Sequence, residues 1–410
     1  MFRSWLLFSI CGAVSCVEAA PLAFASALEI ASRESPEIAV ESAAVDAAEA
    51  TSISAGRLPD PKLAVGIDNL PITGDERGSL SRDFMTMRTV GVMQEVPNRA
   101  KRQAARDIAA AGVTQAQSER RVRVLAIRRA TATAWLNRFY AEHRLALFDD
   151  LERENHLFAE SVQAQLAGGR GSAADAVVPQ QEALELADRR DALGIEIAKA
   201  KADLKRWVGD AADGPLGGEP PVLAIDTEHL RSHVHEHPEI AVFEPMTEKA
   251  QAELHAAQAA KRPDWGVELA YGRRGAEFSD MVSLQFTIGL PIFGATRQDP
   301  QISAARHELA RIDAQRSGML REHTAELEGD LATFAALKRQ IARVHEASLP
   351  LVRQKIDYKL AAYRSGSGTL TAVLAARREL LDAQLKQIEL EAQLATLTAQ
   401  LYFVYGEGAQ

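Results

Sequence analysis

The sequence lacks the residue types that most often carry chemistry or cross-link a fold. Cysteine occurs only twice in 410 residues, as Cys11 and Cys16, and both lie near the start of the chain. The rest of the chain therefore has no disulfide, thiolate metal site or cysteine nucleophile. No paired carboxylates, Ser–His–Asp order or phosphate-binding glycine loop indicates catalysis. We therefore expect neither enzymatic activity nor a cofactor.

The chain also lacks a net positive charge and long apolar runs. The formal net charge is −9 at pH 7, so we expect no nucleic-acid partner. Beyond the first residues, no stretch of about eighteen apolar residues occurs, and no transmembrane helix is predicted. Hydrophobic residues make up 47% and charged residues 25% of the chain, which is the composition of a protein with a large folded core.

Residues 1–25 predict a secretory signal peptide. Arg3 is followed by an apolar run and then by small residues, which is the order of a cleavable leader. We expect cleavage after Ala20 or Ala25. The residues before Cys16 loosely resemble a lipoprotein cleavage site, so lipidation of Cys16 remains the alternative.

The chain does contain alternating apolar stretches. Within Ser279–Leu290, every second residue from Val282 onward is apolar, which is the pattern of a β-strand. A similar strand precedes it, and a rougher pair lies far earlier, so we predict β-hairpins at 62–96 and 265–290. Strands of about nine to thirteen residues are long enough to cross a bilayer when tilted. The residues of the last strand that we expect to face lipid are Val282, Leu284, Phe286, Ile288 and Leu290.

The chain is internally duplicated. Pro36–Val40 recurs as Pro238–Val242. Glycine turns occur at 168–172 and 365–369. Each half therefore predicts a helix, a strand pair, a very long helix, a glycine turn and another helix. The two structural repeats are residues 26–225 and 226–410.

The predicted fold is mainly α with a small β part. Helices are predicted at 27–57, 98–167, 172–208, 227–262, 296–364 and 370–405. The two longest would each extend about 100 Å, and the shorter ones stack in pairs to about the same length. A Gly- and Pro-rich loop at 209–225 interrupts the return path, and Pro179 predicts a kink in the third helix. We therefore expect four long helical columns hanging from four strands.

Four strands cannot close a barrel within one chain, and open strand edges are not tolerated in hydrocarbon. Either the strands form a soluble sheet, or several chains contribute to one barrel. Export and strands of spanning length favour the second interpretation.

The duplicated layout resembles the TolC-type outer-membrane channels of tripartite efflux pumps over the whole mature chain. Within that family, Asp68–Pro71, Gln94–Pro97 and Lys101–Arg102 resemble the heavy-metal (cobalt–zinc–cadmium or copper) branch. The resemblance implies a homotrimer whose twelve strands form one transmembrane β-barrel in bacterial outer-membrane lipid. It also implies a long α-helical periplasmic barrel that meets a periplasmic adaptor (membrane fusion) protein and an inner-membrane proton-driven pump of the resistance-nodulation-division type.

The resemblance places the adaptor-docking tips at the glycine turns. These residues are Gly169, Arg170, Gly171, Ser172, Gly366, Gly368, Thr369 and Leu370. Asp175 and Tyr363 match positions that gate the tip in the family, although a carboxylate at a helix N-terminus explains Asp175 equally well. Uncharged Gly368, Ala372 and Ala375 stand where the family often carries charge, which argues against a large salt-bridge gate.

Histidines provide the one metal-like pattern in the sequence. On a continuous helix, His229, His233 and His237 would share one face, where imidazoles could bind zinc or copper. Pro238 disturbs that geometry, and exposed histidines are common, so we expect this cluster to be dispensable.

Three functions remain open from the sequence. The first is a passive trimeric duct for efflux, with heavy-metal cations as substrates. The second is the same duct serving drug efflux or type I protein secretion. The third is a periplasmic coiled-coil structural protein without a pore.

Overall fold

The computed structural model describes residues 21–169, 173–174 and 176–405. The α-helices are α1 (Phe24–Glu34), α2 (Pro36–Ser54), α3 (Arg99–Ala167), α4 (Val178–Val208), α5 (Thr227–Ser232), α6 (Pro238–Ala241), α7 (Phe243–Ala259), α8 (Gln298–Arg343), α9 (Leu349–Arg364) and α10 (Leu370–Tyr405). The strands are β1 (Leu22–Ala23), β2 (Lys62–Asp68), β3 (Met87–Val96), β4 (Leu216–Gly217), β5 (Trp265–Arg273) and β6 (Met281–Ile288). None of the described helices is both long enough and apolar enough to cross a membrane.

The two long outgoing helices are present as predicted. α3 is unbroken over 69 residues, and the Asn98 side chain caps it by accepting the Lys101 N–H at 3.0 Å. Its length is about 100 Å. In the second repeat, α8 leads through a π-helical turn at Val344–Ser348 into α9, whose first turn contains Pro350. The wider turn lets the helix continue past a residue that cannot donate a backbone hydrogen bond.

The kink predicted at Pro179 is wrong. α4 begins at Val178, so Pro179 lies in its first turn, where the missing N–H would have had no helical partner anyway. Its carbonyl accepts a hydrogen bond from the Asn155 side chain at 2.9 Å. The proline thus starts the helix and docks it against α3.

The continuous helices predicted at 27–57 and 227–262 are also wrong. The first is divided into α1 and α2 at Ser35, whose backbone is extended because Pro36 follows it. The second is divided into α5, a short 3₁₀ turn, α6 and α7, and His237 before Pro238 is extended in the same way. The same Pro-Glu-Ile motif therefore breaks the helix at the same place in each repeat.

The four predicted strands form one antiparallel sheet in the order β2-β3-β5-β6. The two hairpins meet where β3 pairs with β5, from Val96 opposite Trp265 to Arg88 opposite Arg273. The helices begin and end at one end of this sheet, beside Lys62, Val96 and Ile288, and the hairpin loops lie at the other end.

A second, parallel pair joins β1 to β4, with Leu22 opposite Leu216. It was not predicted from the sequence. Leu22 and Phe24 belong to the main apolar core, and the Trp135 indole N–H donates to the Leu22 carbonyl at 3.0 Å. Cleavage after Ala20 would retain these contacts, whereas cleavage after Ala25 would remove them.

The main core lies midway along the helical part. α1, α3, the end of α4 and the end of α10 meet around Trp135, which is fully buried. The buried Arg138 guanidinium donates to the carbonyl oxygens of Ala212 and Gly214 at 2.6 and 2.9 Å. These bonds fix the loop 209–225 against α3.

Candidate functional site

The sheet has one continuous apolar face. Cross-strand pairing places the alternating residues of β6 beside those of β5, with Leu284 opposite Leu269 and Phe286 opposite Val267. The stripe continues across the other two strands, where Val92 pairs with Leu269. The predicted lipid-facing residues are between 61% and 71% exposed: Val282, Leu284, Phe286, Ile288 and Leu290. Such a face is suited to contact with lipid.

The opposite face carries small and polar residues. Ser283, Gln285 and Thr287 lie on this side of β6, and Gln285 pairs with Glu268 of β5. A side chain at Gly91 would come within 3.0 Å of the Ala270 Cβ atom. A barrel with a watery lumen has this division of faces.

Two polar residues of the fourth predicted strand segment, Thr86 and Arg88, interrupt its apolar alternation and lie at the loop end of the sheet. Thr86 precedes β3 and is buried, and its hydroxyl donates to the Asn69 carbonyl at 3.0 Å. Arg88 is the second residue of β3, opposite Ile67. Neither residue therefore disrupts the middle of the apolar face.

The sequence motifs that suggested the heavy-metal branch stabilise strand ends. Asn69 adopts a positive φ of 56° in the first hairpin. The Gln94 amide donates to the Pro59 carbonyl at 2.8 Å, and Glu95 forms an ion pair with Lys62 at 2.6 Å. Lys101 forms an ion pair with Asp264, which also accepts the Asn98 N–H at 2.8 Å. These residues hold the sheet on the helices, and metal ligation is not needed to explain them.

The second predicted tip turn has the expected backbone. Gly366 has a φ of +77°, a conformation that favours glycine. The N–H groups of Ser367 and Gly368 both donate to the Ala362 carbonyl, at 2.9 and 3.0 Å. Thr369 caps α10 by accepting the Ala372 N–H at 3.3 Å.

The first tip turn is described only in part. Gly169, after the end of α3, has a φ of +72°. Arg170, Gly171, Ser172 and Asp175 lie outside the described residues, so their proposed docking and gating roles remain predictions.

The helix ends that lead into the two tip turns lie together. One small apolar cluster contains buried Val162 of α3 and buried Leu370 and Leu374 of α10, and half-buried Val178 of α4 and Tyr363 pack against it. Because the long helices of both repeats end here, this cluster is at the far end of the molecule from the sheet.

A band of ion pairs lies above the tips. It was not predicted, because spacing along one helix does not show which charges meet across helices. The pairs are Arg378 with Glu182 and Glu185 at 2.5 and 2.7 Å, Arg377 with Glu154 at 2.9 Å, Arg190 with Glu152 at 2.6 Å, and Lys355 with Glu379 at 2.7 Å. They link α3, α4, α9 and α10, and exposed pairs of this kind contribute little to stability because water and salt screen them.

The three histidines do not share one helical face, because the helix is interrupted before Pro238 as the sequence suggested. His229 lies within α5 and His233 directly follows it, with their ring centres 4.1 Å apart, and His237 lies beyond the 3₁₀ turn. His237 instead packs against His323 of α8, with ring centres 4.0 Å apart. Potential ligand atoms of His237, Glu239 and His323 lie within 4.8 Å of one another.

Helix capping explains His237 better than metal binding does. Its Nδ1 atom accepts the Glu239 N–H at 3.1 Å, so the neutral ring carries its proton on Nε2 and has no free lone pair for a metal. Ser35 holds the matching place in the first repeat, where its hydroxyl accepts the Glu37 N–H at 3.3 Å. Burial, His323 and nearby Arg129 lower the pKa of His237 to about 3, which keeps the ring neutral.

Comparison with known proteins agrees with this arrangement. Residues 231–407 match the family model described as Outer membrane efflux protein. The outer membrane protein VceC of Vibrio cholerae superposes with a TM-score of 0.77 and 20% identity, covering 93% of this chain and 96% of VceC. The open state of the MtrE outer membrane channel of Neisseria gonorrhoeae superposes with a TM-score of 0.75 and 15% identity, covering 100% of this chain and 98% of MtrE.

The chain has the fold of an outer-membrane channel. CusC, a protein described as forming a transmembrane channel, likewise superposes with a TM-score of 0.78 and 16% identity, covering 93% of this chain and 92% of CusC. No curated protein sequence matches this chain. In this channel fold, the sheet and the helical tips are the two ends of one elongated unit.

Proposed function

We propose that this chain is an outer membrane efflux protein, the outer-membrane channel of a tripartite efflux pump. It acts as a passive duct from the periplasm or cytoplasm to the exterior, and it neither catalyses a reaction nor needs a cofactor. The match of residues 231–407 to the efflux family model supports this assignment.

The observation that carries the proposal is the sheet with one exposed apolar face. An apolar face of this kind is unfavourable in water and favourable in lipid. Phe286 and Leu284 are 66% and 61% exposed on it, while Gln285 between them lies on the other face. In a soluble periplasmic coiled-coil protein, this apolar face would be exposed to water.

The free sheet edges support a trimer. Within the described residues, β2 and β6 each pair on one side only. Pairing of β6 of one copy with β2 of the next removes both edges, as hydrocarbon requires. Three copies close a barrel of twelve strands, and their helices continue it as a periplasmic tunnel.

The tips are the proposed docking sites for a periplasmic adaptor. They lie about 100 Å of helix away from the sheet, where a partner anchored in the inner membrane can reach them. The adaptor would connect the channel to a proton-driven pump of the resistance-nodulation-division type. Asp175 and Tyr363 are proposed to close the tip until the adaptor docks.

Heavy-metal cations are the proposed substrates. This assignment rests on the motif resemblance at Asp68–Pro71, Gln94–Pro97 and Lys101–Arg102. The contacts of these residues serve the strand ends, so drug efflux or protein secretion by the same duct remains the competing assignment.

Two measurements test the proposal. Purified protein should run as a heat-modifiable trimer and give single-channel conductance in planar bilayers; a non-conducting periplasmic protein would contradict the channel. Deletion of the gene should reduce tolerance to zinc, cobalt, cadmium or copper more than tolerance to a panel of antibiotics. A larger loss of antibiotic tolerance than of metal tolerance would exclude heavy metals as the substrate class, but it would not contradict the channel assignment.

A further inference from the structure

Basic residues are concentrated where the sheet meets the helices. We call this region the rim, and it consists of residues 55–62, 95–106, 260–265 and 288–299. The rim contains nine basic and four acidic residues in a chain whose formal net charge is −9. The basic residues are Arg57, Lys62, Arg99, Lys101, Arg102, Arg106, Lys261, Arg262 and Arg297. The rim therefore carries a local excess of positive charge, whereas the whole chain has a net negative charge.

The lysines of the rim are neutralised, but the arginines are not. Lys62 pairs with Glu95 at 2.6 Å, and Lys101 and Lys261 pair with Asp264 and Asp299. None of the six arginines forms an ion pair with a described carboxylate. Five of them are exposed to solvent: Arg57, Arg99, Arg106, Arg262 and Arg297.

Exposed apolar side chains accompany these arginines. Trp265, at the start of β5, is 48% exposed, and Ile292 and Phe293, after β6, are 73% and 64% exposed. Trp265 lies on the apolar face of the sheet, opposite Ile288. Aromatic and apolar groups beside cations are typical of the boundary between hydrocarbon and headgroups.

We propose that the rim binds the phosphate groups of anionic phospholipids in the membrane leaflet that faces the periplasm. This inference rests on the proposed function, because it requires the sheet to span a membrane. The guanidinium group donates several hydrogen bonds to phosphate oxygens in a fixed geometry. The neighbouring apolar side chains would contact the acyl chains, which a soluble phosphate lacks.

Native mass spectrometry of the purified full-length chain in detergent provides the test. The probes are palmitoyl-oleoyl phosphatidylglycerol, palmitoyl-oleoyl phosphatidylcholine and glycerol 3-phosphate. The rim variant replaces Arg57, Arg99, Arg262 and Arg297 with glutamine. The control variant replaces four exposed arginines on the helix bodies with glutamine: Arg120, Arg316, Arg321 and Arg353. Arg316 lies about 27 Å along α8 from its first residue.

The unaltered chain and the control variant should bind phosphatidylglycerol more tightly than phosphatidylcholine. The rim variant should lose this preference, with a loss of about fivefold for each arginine that contacts the headgroup. Equal binding by the rim and control variants, or equal binding of the two lipids, would overturn the proposal. Glycerol 3-phosphate binding as tightly as the lipid would show a simple anion site instead.

Failure of this inference is distinguishable from failure of the proposed function. Conductance in planar bilayers and recovery in the outer-membrane fraction test the channel independently of the lipid. A conducting trimer without a preference for phosphatidylglycerol would overturn the lipid site alone. Circular dichroism melting checks that both variants fold. If the fourfold rim variant does not fold, the same lipid comparison is made with single arginine replacements.

Discussion

Replacing Phe286 with arginine should impair membrane insertion far more than the same replacement at Gln285. The two residues are neighbours on β6, but Phe286 lies on the apolar face opposite Val267, and Gln285 lies on the polar face opposite Glu268. Both changes introduce the same side chain into the same strand. Any difference between them therefore reports which face meets lipid.

The expected free-energy cost of each arginine follows from its depth in the bilayer. An arginine facing lipid costs about 2–4 kcal/mol at the bilayer midplane and about 0–1 kcal/mol near the interfaces. Leu284 is close to the middle of β6, and Phe286 is two residues, about 7 Å of strand, nearer the rim. Tilt reduces this to about 5 Å of depth, so we expect about 2 kcal/mol per chain for Phe286→Arg. Leu284→Arg should cost more, and Gln285→Arg less than about 1 kcal/mol.

The assay is the yield of heat-modifiable trimer in the outer-membrane fraction, at matched expression. Trimer yield should be highest for Gln285→Arg, lower for Phe286→Arg and lowest for Leu284→Arg. Single cysteines provide a second readout with a water-soluble maleimide, which should label Ser283→Cys and spare Leu284→Cys. Equal damage from all three arginines, or labelling of Leu284→Cys with protection of Ser283→Cys, would refute the assigned faces.

Three further predictions concern the tip and the helix caps. Bulky side chains at Gly366, where φ is +77°, or at Gly368, where a Cβ atom would lie 3.0 Å from that of Ala362, should abolish efflux while trimers still form; loss of trimers would indicate a folding role instead. The double variant Asp175→Ala, Tyr363→Ala should admit vancomycin into cells, and unchanged sensitivity would remove both residues from the gate. For His237, whose pKa is lowered from 6.5 to about 3, the unfolded chain gains a proton below pH 6.5 that the folded chain does not accept, so stability is lost between pH 6.5 and 3. Because His237 is buried, we expect the free energy of unfolding to fall by up to about 1.4 kcal/mol per pH unit within this window. Melting of His237→Ser, which copies the cap of the first repeat, should depend less on pH, and identical profiles would contradict the assignment.

The sequence was sufficient for the strands and the long helices because both have strong local signals. Alternation over β5 and β6 specifies which face each side chain occupies, and the absence of proline over residues 99–167 specifies α3. The internal repeat then supplied the order of elements in each half. These features depend on neighbours in sequence, so they can be read without the fold.

Local patterns were insufficient where one residue has two possible roles. Pro179 is compatible with a kink or with a helix start, and contact with Asn155 of α3 accompanies the second. His237 is compatible with a helical metal ligand or with a cap, and the extended backbone before Pro238 decides for the cap. The ion pairs between α10 and α4, and the pairing of β1 with β4, join distant segments that no local pattern relates. The Asp175 gate lies outside the described residues and remains a prediction.

The short pairing of Leu22–Ala23 with Leu216–Gly217 has a consequence for the order of folding. A chain delivered across a membrane from its N-terminus presents β1 first, and β4 emerges only after the whole of the first repeat. Until then the Leu22 carbonyl can be held by Trp135, but the backbone of β1 has no strand partner. Contacts between segments so far apart in sequence also form slowly. On such a delivery, the first repeat can close as a unit only once β4 has emerged.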